Sequence, residues 1–171
     1  MNYFTSDLHF GHFNAIGFDY RPFQTVEEMD KALIDNWNRK VTNEDTVYIL
    51  GDFCFHSDKE PEYYLQQLKG KKYLVQGNHD QAIMKSEKAK SYFEGIDKMM
   101  YIKDQYLIVM CHFPIADWNK KRHGALHLYG HIHNRESDVA RFMRSQKNAY
   151  NVGCMLHNYQ PVTIDEIIAK H

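Results

Sequence analysis

Apolar residues recur at helical spacing in three parts of the chain. Residues 25–40 form the longest such segment, and Thr25 with Glu28 has the pattern of a capping box at its start. Its apolar positions are Val26, Met29, Leu33 and Trp37. A second helix is predicted from Pro61 to a stop at Gly70, with a buried stripe at Tyr64, Leu65 and Leu68. Residues 164–170 predict a closing helix.

Short apolar runs of strand length lie between and after these helices. They are residues 2–6, 46–50, 72–76, 98–103, 105–110, 125–129 and 148–152. In the first half strands alternate with helices, whereas in the second half strands follow one another. This order predicts two packed sheets with helices outside. Because no repeat, linker or low-complexity stretch interrupts the chain, residues 1–171 are expected to form a single domain.

Composition and charge narrow the class of protein. Hydrophobic residues make up 43% and charged residues 25%, which is typical of a globular protein, and the net charge of -1 does not favour a nucleic-acid coat or a membrane-surface binder. Three cysteines without a C-x-x-C pair argue against a disulfide framework and a zinc knuckle. Neither a membrane-spanning run nor room for a signal peptide before Asp7 is found, so a cytoplasmic location is expected.

Polar clusters rich in Asp, Asn and His mostly follow the apolar runs directly. They are Asp7-Leu8-His9, Gly51-Asp52, Gly77-Asn78-His79-Asp80, Cys111-His112 and Gly130-His131-Ile132-His133. These residue types hold hard or borderline divalent metals. Strand ends brought together by a fold would form a pocket for two metal ions, and chemistry on phosphate esters is a leading use of such a pocket.

The spacing within the clusters suggests individual roles. Asp7 and His9 are two residues apart and point to the same face of an extended chain, so both can reach one ion. Asp52 is the natural candidate for a carboxylate that bridges two ions. A mixed nitrogen and oxygen site suits manganese, iron, zinc or nickel better than magnesium or calcium. Manganese is the expected ion.

His79 is the exception in its cluster. Because it follows Asn78 directly, its side chain is expected to project away from the metals and toward the substrate. Asp80 is expected to hold the other ring nitrogen of His79 and fix its tautomer.

Taken together and in this order, the five clusters resemble those of the calcineurin-like metallophosphoesterase family. The motifs span residues 4–133, and Gly77-Asn78-His79-Asp80 is the most specific of them. The resemblance implies an α/β (α+β) fold, a four-layer αββα sandwich of two packed mixed β-sheets flanked by helices. It also implies a hydrolase acting on phosphate esters. A Cys at position 111 is a mild departure, since the family often has a small residue there.

The resemblance implies a role for each cluster residue. The first metal would be held by Asp7, His9, Asp52 and His133, and the second by Asp52, Asn78, His112 and His131. His79 matches the histidine that contacts the phosphate and assists the leaving group. The implied mechanism is in-line attack on phosphorus by a hydroxide between two ions. Because histidine ligands must be neutral, activity should fall as the pH drops toward and below about 6.5.

Other polar residues carry weaker signals. His12 and Asn14 could line the pocket, and His56 could play a supporting role. The run at residues 119–123 could steer phosphate, although a solvated loop is favoured. Arg21 could clamp a phosphate, and a structural role is favoured for it as well.

Several functions remain open at this point. Phosphodiesters are favoured over monoesters because the small chain has no room for a cap domain, and a pyrophosphohydrolase is an alternative. A repair-type nuclease is disfavoured by the lack of a basic, aromatic-rich strip. The expected partner is a small phosphorylated substrate, with neither nucleic acid nor membrane required. A non-catalytic scaffold of the same fold is disfavoured because His79 and all seven ligand positions are intact.

Overall fold

The computed structural model describes residues 1–170, in which eight strands form two four-stranded sheets. The first sheet contains β1 (Asn2–Thr5), β2 (Thr46–Ile49), β3 (Lys71–Val75) and β4 (Gly95–Asp97), in that order and parallel throughout. The second contains β5 (Met99–Lys103), β6 (Leu107–Cys111), β7 (Leu126–Tyr129) and β8 (Ala149–Asn151). It is mixed, because β5 runs antiparallel to β6 while β6, β7 and β8 are parallel.

Seven α-helices surround these sheets in the described part of the chain. They are α1 (Phe13–Phe18), α2 (Val26–Lys40), α3 (Pro61–Leu65), α4 (Gln81–Lys85), α5 (Glu87–Lys90), α6 (Asp138–Arg144) and α7 (Ile164–Ala169). Short 3-10 turns lie at Lys121–His123 and Cys154–Leu156. Among residues 1–170, no helix combines the length and apolar character needed to cross a membrane.

Alternating side chains on the strands supply three separate apolar clusters. On β2, Val47 and Ile49 pack toward α2, whereas Tyr48 joins the cluster between the sheets. On β6, Met110 packs into that same central cluster and Val109 faces the opposite way, into the cluster that includes Met143 of α6. Both faces of each sheet are therefore covered. The predicted four-layer αββα sandwich is confirmed, but only the second sheet is mixed, because every strand pair of the first is parallel.

Helix α2 shows how local sequence starts an element. The Thr25 hydroxyl accepts a hydrogen bond from the Glu28 amide at 3.2 Å, as the capping pattern predicts. The Glu28 carboxylate, however, accepts from the Gln24 amide, so the second half of the box is displaced by one residue. Met29, Leu33 and Trp37 are buried along one face.

The fold brings the polar clusters to one edge. The amide of Asp7 donates to the carbonyl of Gly51 at 3.0 Å, which joins the loops after β1 and β2. The amide of Ser6 donates to the carbonyl of Val152 at 3.0 Å, which joins the first sheet to the second. Since the carboxyl ends of parallel strands meet at one edge of a sheet, the loops after β1, β2, β3, β6 and β7 converge there.

Candidate metal centre

Side chains from four loops meet in two overlapping groups of potential metal ligands. Asp7, His9 and His133 each offer a ligand atom within 4.8 Å of the others. Asp7, Asp52 and His112 form a second group by the same measure. Each group could hold a metal ion, and Asp7 is common to both.

Asp52, a member of the second group, also lies close to His9 of the first. Its Oδ2 is 3.7 Å from His9 Nε2 and 3.5 Å from His112 Nε2. On the second side, Asn78 Oδ1 is 3.0 Å from His112 Nε2. A single carboxylate oxygen placed between two imidazoles is in position to serve two cations.

His131 and His133 complete the set of sequence-predicted ligands. His133 Nε2 is 3.7 Å from Asp7 Oδ1. The backbone amide of His131 donates to both carboxylate oxygens of Asp7 at 3.1 Å, and its ring centroid lies 5.2 Å from that of His112. The structure thus brings the seven predicted residues together, although the ring of His131 belongs to neither ligand group.

The backbone is left-handed at most of these positions. The φ angle lies between 53° and 69° at Asp7, His9, Asp52, His131 and His133. Residues other than glycine adopt this region at a cost of order 1 kcal/mol each, and such conformations concentrate at functional sites. The turns that follow the strands therefore aim these side chains inward at the expense of stability.

Two glycines leave room for the carboxylates. A Cβ atom on Gly130 would lie 2.5 Å from Asp7 Oδ2, and one on Gly77 would lie 2.4 Å from Asp52 Oδ1. Neither distance is compatible with a side chain. Glycine before Asn78 and before His131 is thus required by the close approach of another loop.

The donor set fits a divalent cation. His9 is 1% exposed, and neither of its ring nitrogens has a hydrogen-bond partner among the described residues. Burial lowers the pKa of His9 well below its usual value, so the ring is neutral and its lone pair is available. An unsatisfied buried imidazole is costly unless a ligand compensates, and a cation bound to nitrogen and carboxylate oxygen would do so.

His79 stands apart from the ligand atoms. Its backbone amide donates to Asp52 Oδ1 at 2.9 Å, while its ring packs on Phe55 with centroids 3.9 Å apart. The ring is half-buried and lies 5.8 Å, between centroids, from His9. The predicted direction of the side chain, away from the metals and toward the substrate, stays a prediction.

Asp80 has a different role from the predicted one. Its carboxylate accepts hydrogen bonds from the backbone amides of Gly77 at 2.7 Å, Phe53 at 2.9 Å and Asp52 at 3.1 Å. It therefore fixes the loop after β2 against the loop after β3, and the expectation that it orients the His79 ring is wrong. Burial raises the pKa of Asp80, and its three amide hydrogen bonds oppose that rise.

The residues with weaker sequence signals differ in burial and in their distance from the ligands. His12 is buried with its ring centroid 5.4 Å from that of His9, and His56 is exposed with its centroid 5.9 Å from that of His12. Asn14 is exposed and lines one cavity together with His12 and His56. Residues 119–123 are mostly exposed, as favoured from the sequence, and the last three form a 3-10 turn.

Arg21 is structural, and its partner Asp19 was not singled out in the sequence. Arg21 is buried and donates to the carbonyls of Asp7 at 2.8 Å and Leu8 at 2.9 Å. Asp19 accepts from Arg21 Nη2 at 2.9 Å and lies 2.9 Å from His133 Nδ1. A carboxylate on the far nitrogen of a ligating histidine fixes its tautomer and orientation.

We expect Asp19→Asn to lower both stability and metal affinity. The unfolding free energy should fall by about 3 kcal/mol, because Arg21 would keep a buried charge without its counter-ion. Manganese affinity should fall roughly 10- to 100-fold, because the amide orients His133 less well. Urea denaturation of metal-free protein and calorimetric titration with manganese measure the two effects. The exposed Asp117→Asn is the control, and unchanged affinity would show that Asp19 does not orient His133.

Asp30, on α2, is a carboxyl that folding makes harder to ionise. Burial raises its pKa to about 6, against the opposing hydrogen bond from the Gly11 amide at 2.9 Å. The folded state then binds the proton more tightly than the unfolded state. Protonation of Asp30 therefore stabilises the folded state. This stabilisation is fully present below the ordinary pKa of 3.8 and is lost as the pH rises through about 6.

We expect Asp30→Asn to stabilise the protein at pH 8, because the amide has no ionisation cost and still offers Gly11 an acceptor. The gain should be about 1 kcal/mol at pH 8 and smaller at pH 5. Urea denaturation at the two pH values measures it, with the exposed Asp165→Asn on α7 as the control. An equal gain at both pH values would exclude Asp30 ionisation as the cause.

Comparison with known proteins places this geometry in a family. The sequence profile of the calcineurin-like phosphoesterases matches residues 3–127. The chain belongs to the calcineurin-like phosphoesterase family. Calcineurin-like phosphoesterases hydrolyse phosphate esters with divalent metals, so this chain is a metal-dependent hydrolase of phosphate esters.

Relatives of this calcineurin-like phosphoesterase extend over the whole chain. An uncharacterized protein of Methanocaldococcus jannaschii is 33% identical over 168 residues, covering 97% of this chain and 88% of that protein. A solved protein of unknown function from Aquifex aeolicus has a TM-score of 0.75 at 28% identity, covering 100% of this chain and 99% of that one. The Pseudomonas putida nuclease MPE shares the fold, with a TM-score of 0.51, 19% identity and coverage of 77% and 60%.

Proposed function

We propose that this protein hydrolyses phosphodiesters at a centre for two divalent cations. The first would be held by Asp7, His9, Asp52 and His133, and the second by Asp52, Asn78, His112 and His131. Bound cations would supply an activated water and neutralise charge on the phosphate oxygens. The observation that carries this proposal is the position of Asp52 Oδ2 between His9 Nε2 and His112 Nε2.

His79 is the residue proposed to assist the leaving group. Its backbone is tied to Asp52, so the ring starts from a fixed point beside the centre, while the ring itself remains half-buried and accessible. A histidine in this position can hold a proton at Nδ1 or Nε2 and deliver it to the departing oxygen. General acid catalysis of this kind contributes about 10²- to 10⁴-fold in rate.

A diester is the favoured substrate, with monoesters and pyrophosphates as alternatives. The chain is short, and its loops add no cap domain over the centre within residues 1–170. The nuclease named among the structural relatives acts on a phosphodiester chain, which agrees with this preference. Manganese is the proposed ion because the donors mix imidazole nitrogen with carboxylate and amide oxygen. The three buried free cysteines fit a reducing compartment, so we propose the cytoplasm.

Removal and return of metal test this function. Protein stripped with a chelator is expected to lose hydrolysis of bis(p-nitrophenyl) phosphate and to regain it with manganese, because the proposed centre supplies the activated water. The measurement is release of p-nitrophenolate at fixed pH, with added calcium as the matched ion control. Equal turnover in chelator would contradict the metal mechanism.

A further inference from the structure

A cavity of about 780 Å³ lies beside the metal centre. It is bounded by α1, α2, α3 and the loop after β2, and His12 and His56 stand in its wall. As far as residues 1–170 define it, none of the seven proposed metal ligands lines it. A volume of this size can enclose much of a small organic molecule.

The cavity is joined to the proposed leaving-group side of the centre by a series of rings. The ring of His79 packs on Phe55 with centroids 3.9 Å apart, and Phe55 packs on His56 at 4.0 Å. His12 meets Phe55 edge-on at 5.1 Å. These contacts place the cavity on the Phe55 side of His79.

His12 offers a polar atom that the protein does not use. The residue is 7% exposed, and its Nδ1 has no hydrogen-bond partner among the described residues. Its ring stands in the cavity wall, with its centroid 5.4 Å from that of His9. A buried ring nitrogen without a partner is costly, and a polar group of a bound molecule would satisfy it.

The rest of the lining selects among ligands. Phe13 and Tyr63 line the cavity and are 65% and 47% exposed, so ring surface is available to a bound molecule. Four lining carboxylates outnumber two lysines, and Lys31 is ion-paired to Asp35. The other lysine, Lys59, lies over one face of the Tyr63 ring with its Nζ 5.6 Å from the centroid, which leaves the other face for a ligand. An acidic wall disfavours a second phosphate and favours a neutral group with N–H donors.

We propose that this cavity binds the leaving group of the diester, and that the group is a nucleoside. This inference rests on the proposed function. The flat base of the nucleoside would stack on the exposed rings of Phe13 and Tyr63. Its N–H groups would donate to the cavity carboxylates and the ring nitrogen of His12. Phe13 and Tyr63 are then the residues that determine specificity for the leaving group.

Two inhibitors test this assignment in manganese-loaded protein. Deoxyadenosine should inhibit hydrolysis of bis(p-nitrophenyl) phosphate by occupying the cavity, and inorganic phosphate should inhibit at the metal centre. Phe13→Ala and Tyr63→Ala are expected to raise the inhibition constant of deoxyadenosine about 10-fold, since stacking contributes of order 1 kcal/mol or more. The inhibition constant of phosphate should stay within about 2-fold. Tyr101→Ala and Phe142→Ala, exposed aromatics elsewhere, are the controls and should change neither constant.

The outcomes separate this inference from the proposed function. Hydrolysis with no inhibition by deoxyadenosine, or with inhibition that Phe13→Ala and Tyr63→Ala leave intact, would overturn the cavity assignment alone. Absence of hydrolysis in the unmodified protein would instead contradict the proposed function. In that case saturation-transfer NMR of deoxyadenosine with the same four variants decides the cavity assignment directly. Binding that both cavity variants weaken supports it, and binding that they do not weaken overturns it.

Discussion

Replacing Asp52 by asparagine is expected to abolish turnover and to stabilise the metal-free protein at the same time. Oδ2 of Asp52 lies between His9 and His112, so both cations would lose a charged ligand. We expect the manganese content to fall below about one ion per chain and hydrolysis of bis(p-nitrophenyl) phosphate to fall at least ~10³-fold, equivalent to about 4 kcal/mol. Elemental analysis and steady-state kinetics measure these effects.

The opposite effect on the metal-free protein follows from the buried charges. Burial raises the pKa of Asp7 and of Asp80, and the nearby charge of Asp52 raises both further. Removing one of three neighbouring carboxylates relieves this repulsion, while Oδ1 of the asparagine still accepts from the His79 amide. The melting temperature of metal-free Asp52→Asn should therefore exceed that of the unmodified protein, whereas manganese should no longer raise it.

One result for Asp52→Asn would indicate that another carboxylate binds both ions. If Asp52→Asn kept two manganese ions, then Asp7 would be the better candidate, since it is common to both ligand groups. Asp165→Asn is the control, because it removes an exposed carboxylate far from the centre in sequence and should change neither metal content nor melting temperature.

The long elements of the fold could be predicted because each has a pattern that extends over its whole length. Helix α2 repeats its apolar positions over four turns, and β1, β2 and β3 are compact apolar runs. The elements that were missed are short. Helices α1, α4, α5 and α6 contain four to seven residues, too few to display a helical period, and β4 is a three-residue strand defined by its pairing with β3.

Helix α3 shows that a glycine in the sequence can mark the wrong end of a helix. A helix was predicted from Pro61 to a stop at Gly70, and it begins at Pro61 but ends at Leu65. Leu68 is nevertheless buried, because turns after the helix keep it against the same core cluster. The apolar stripe was a correct guide to burial but not to helix length.

Part of the metal centre could likewise be predicted from the sequence and part could not. Its seven proposed ligands could be identified because their types are informative and they follow strand ends. The contacts that hold them could not, since they join residues far apart in the chain. Asp19 and His133 are 114 residues apart, and Asp80 binds amides 27 and 28 residues away. The opposite charges of Asp19 and Arg21, two residues apart, were a signal that the sequence offered.

Replacing His79 by asparagine is expected to lower turnover while leaving both cations in place. The backbone amide that holds Asp52 is retained, and the ring that is lost packs on Phe55 outside the ligand groups. For a diester with a poorly stabilised alkoxide leaving group, such as a dinucleoside phosphate, turnover should fall about 10²- to 10⁴-fold. For bis(p-nitrophenyl) phosphate the loss should be much smaller, because p-nitrophenolate departs without a proton.

This dependence on the leaving group separates proton delivery from phosphate binding. A histidine that only contacts the phosphate would, when replaced, slow both substrates by the same factor, because the phosphate is common to them. Unequal losses with a manganese content near two ions per chain would support the proposed acid. Loss of manganese from His79→Asn would instead identify the ring as a metal ligand. His123→Asn, an exposed histidine in the 3-10 turn, is the control and should leave both substrates and the metal content unaffected.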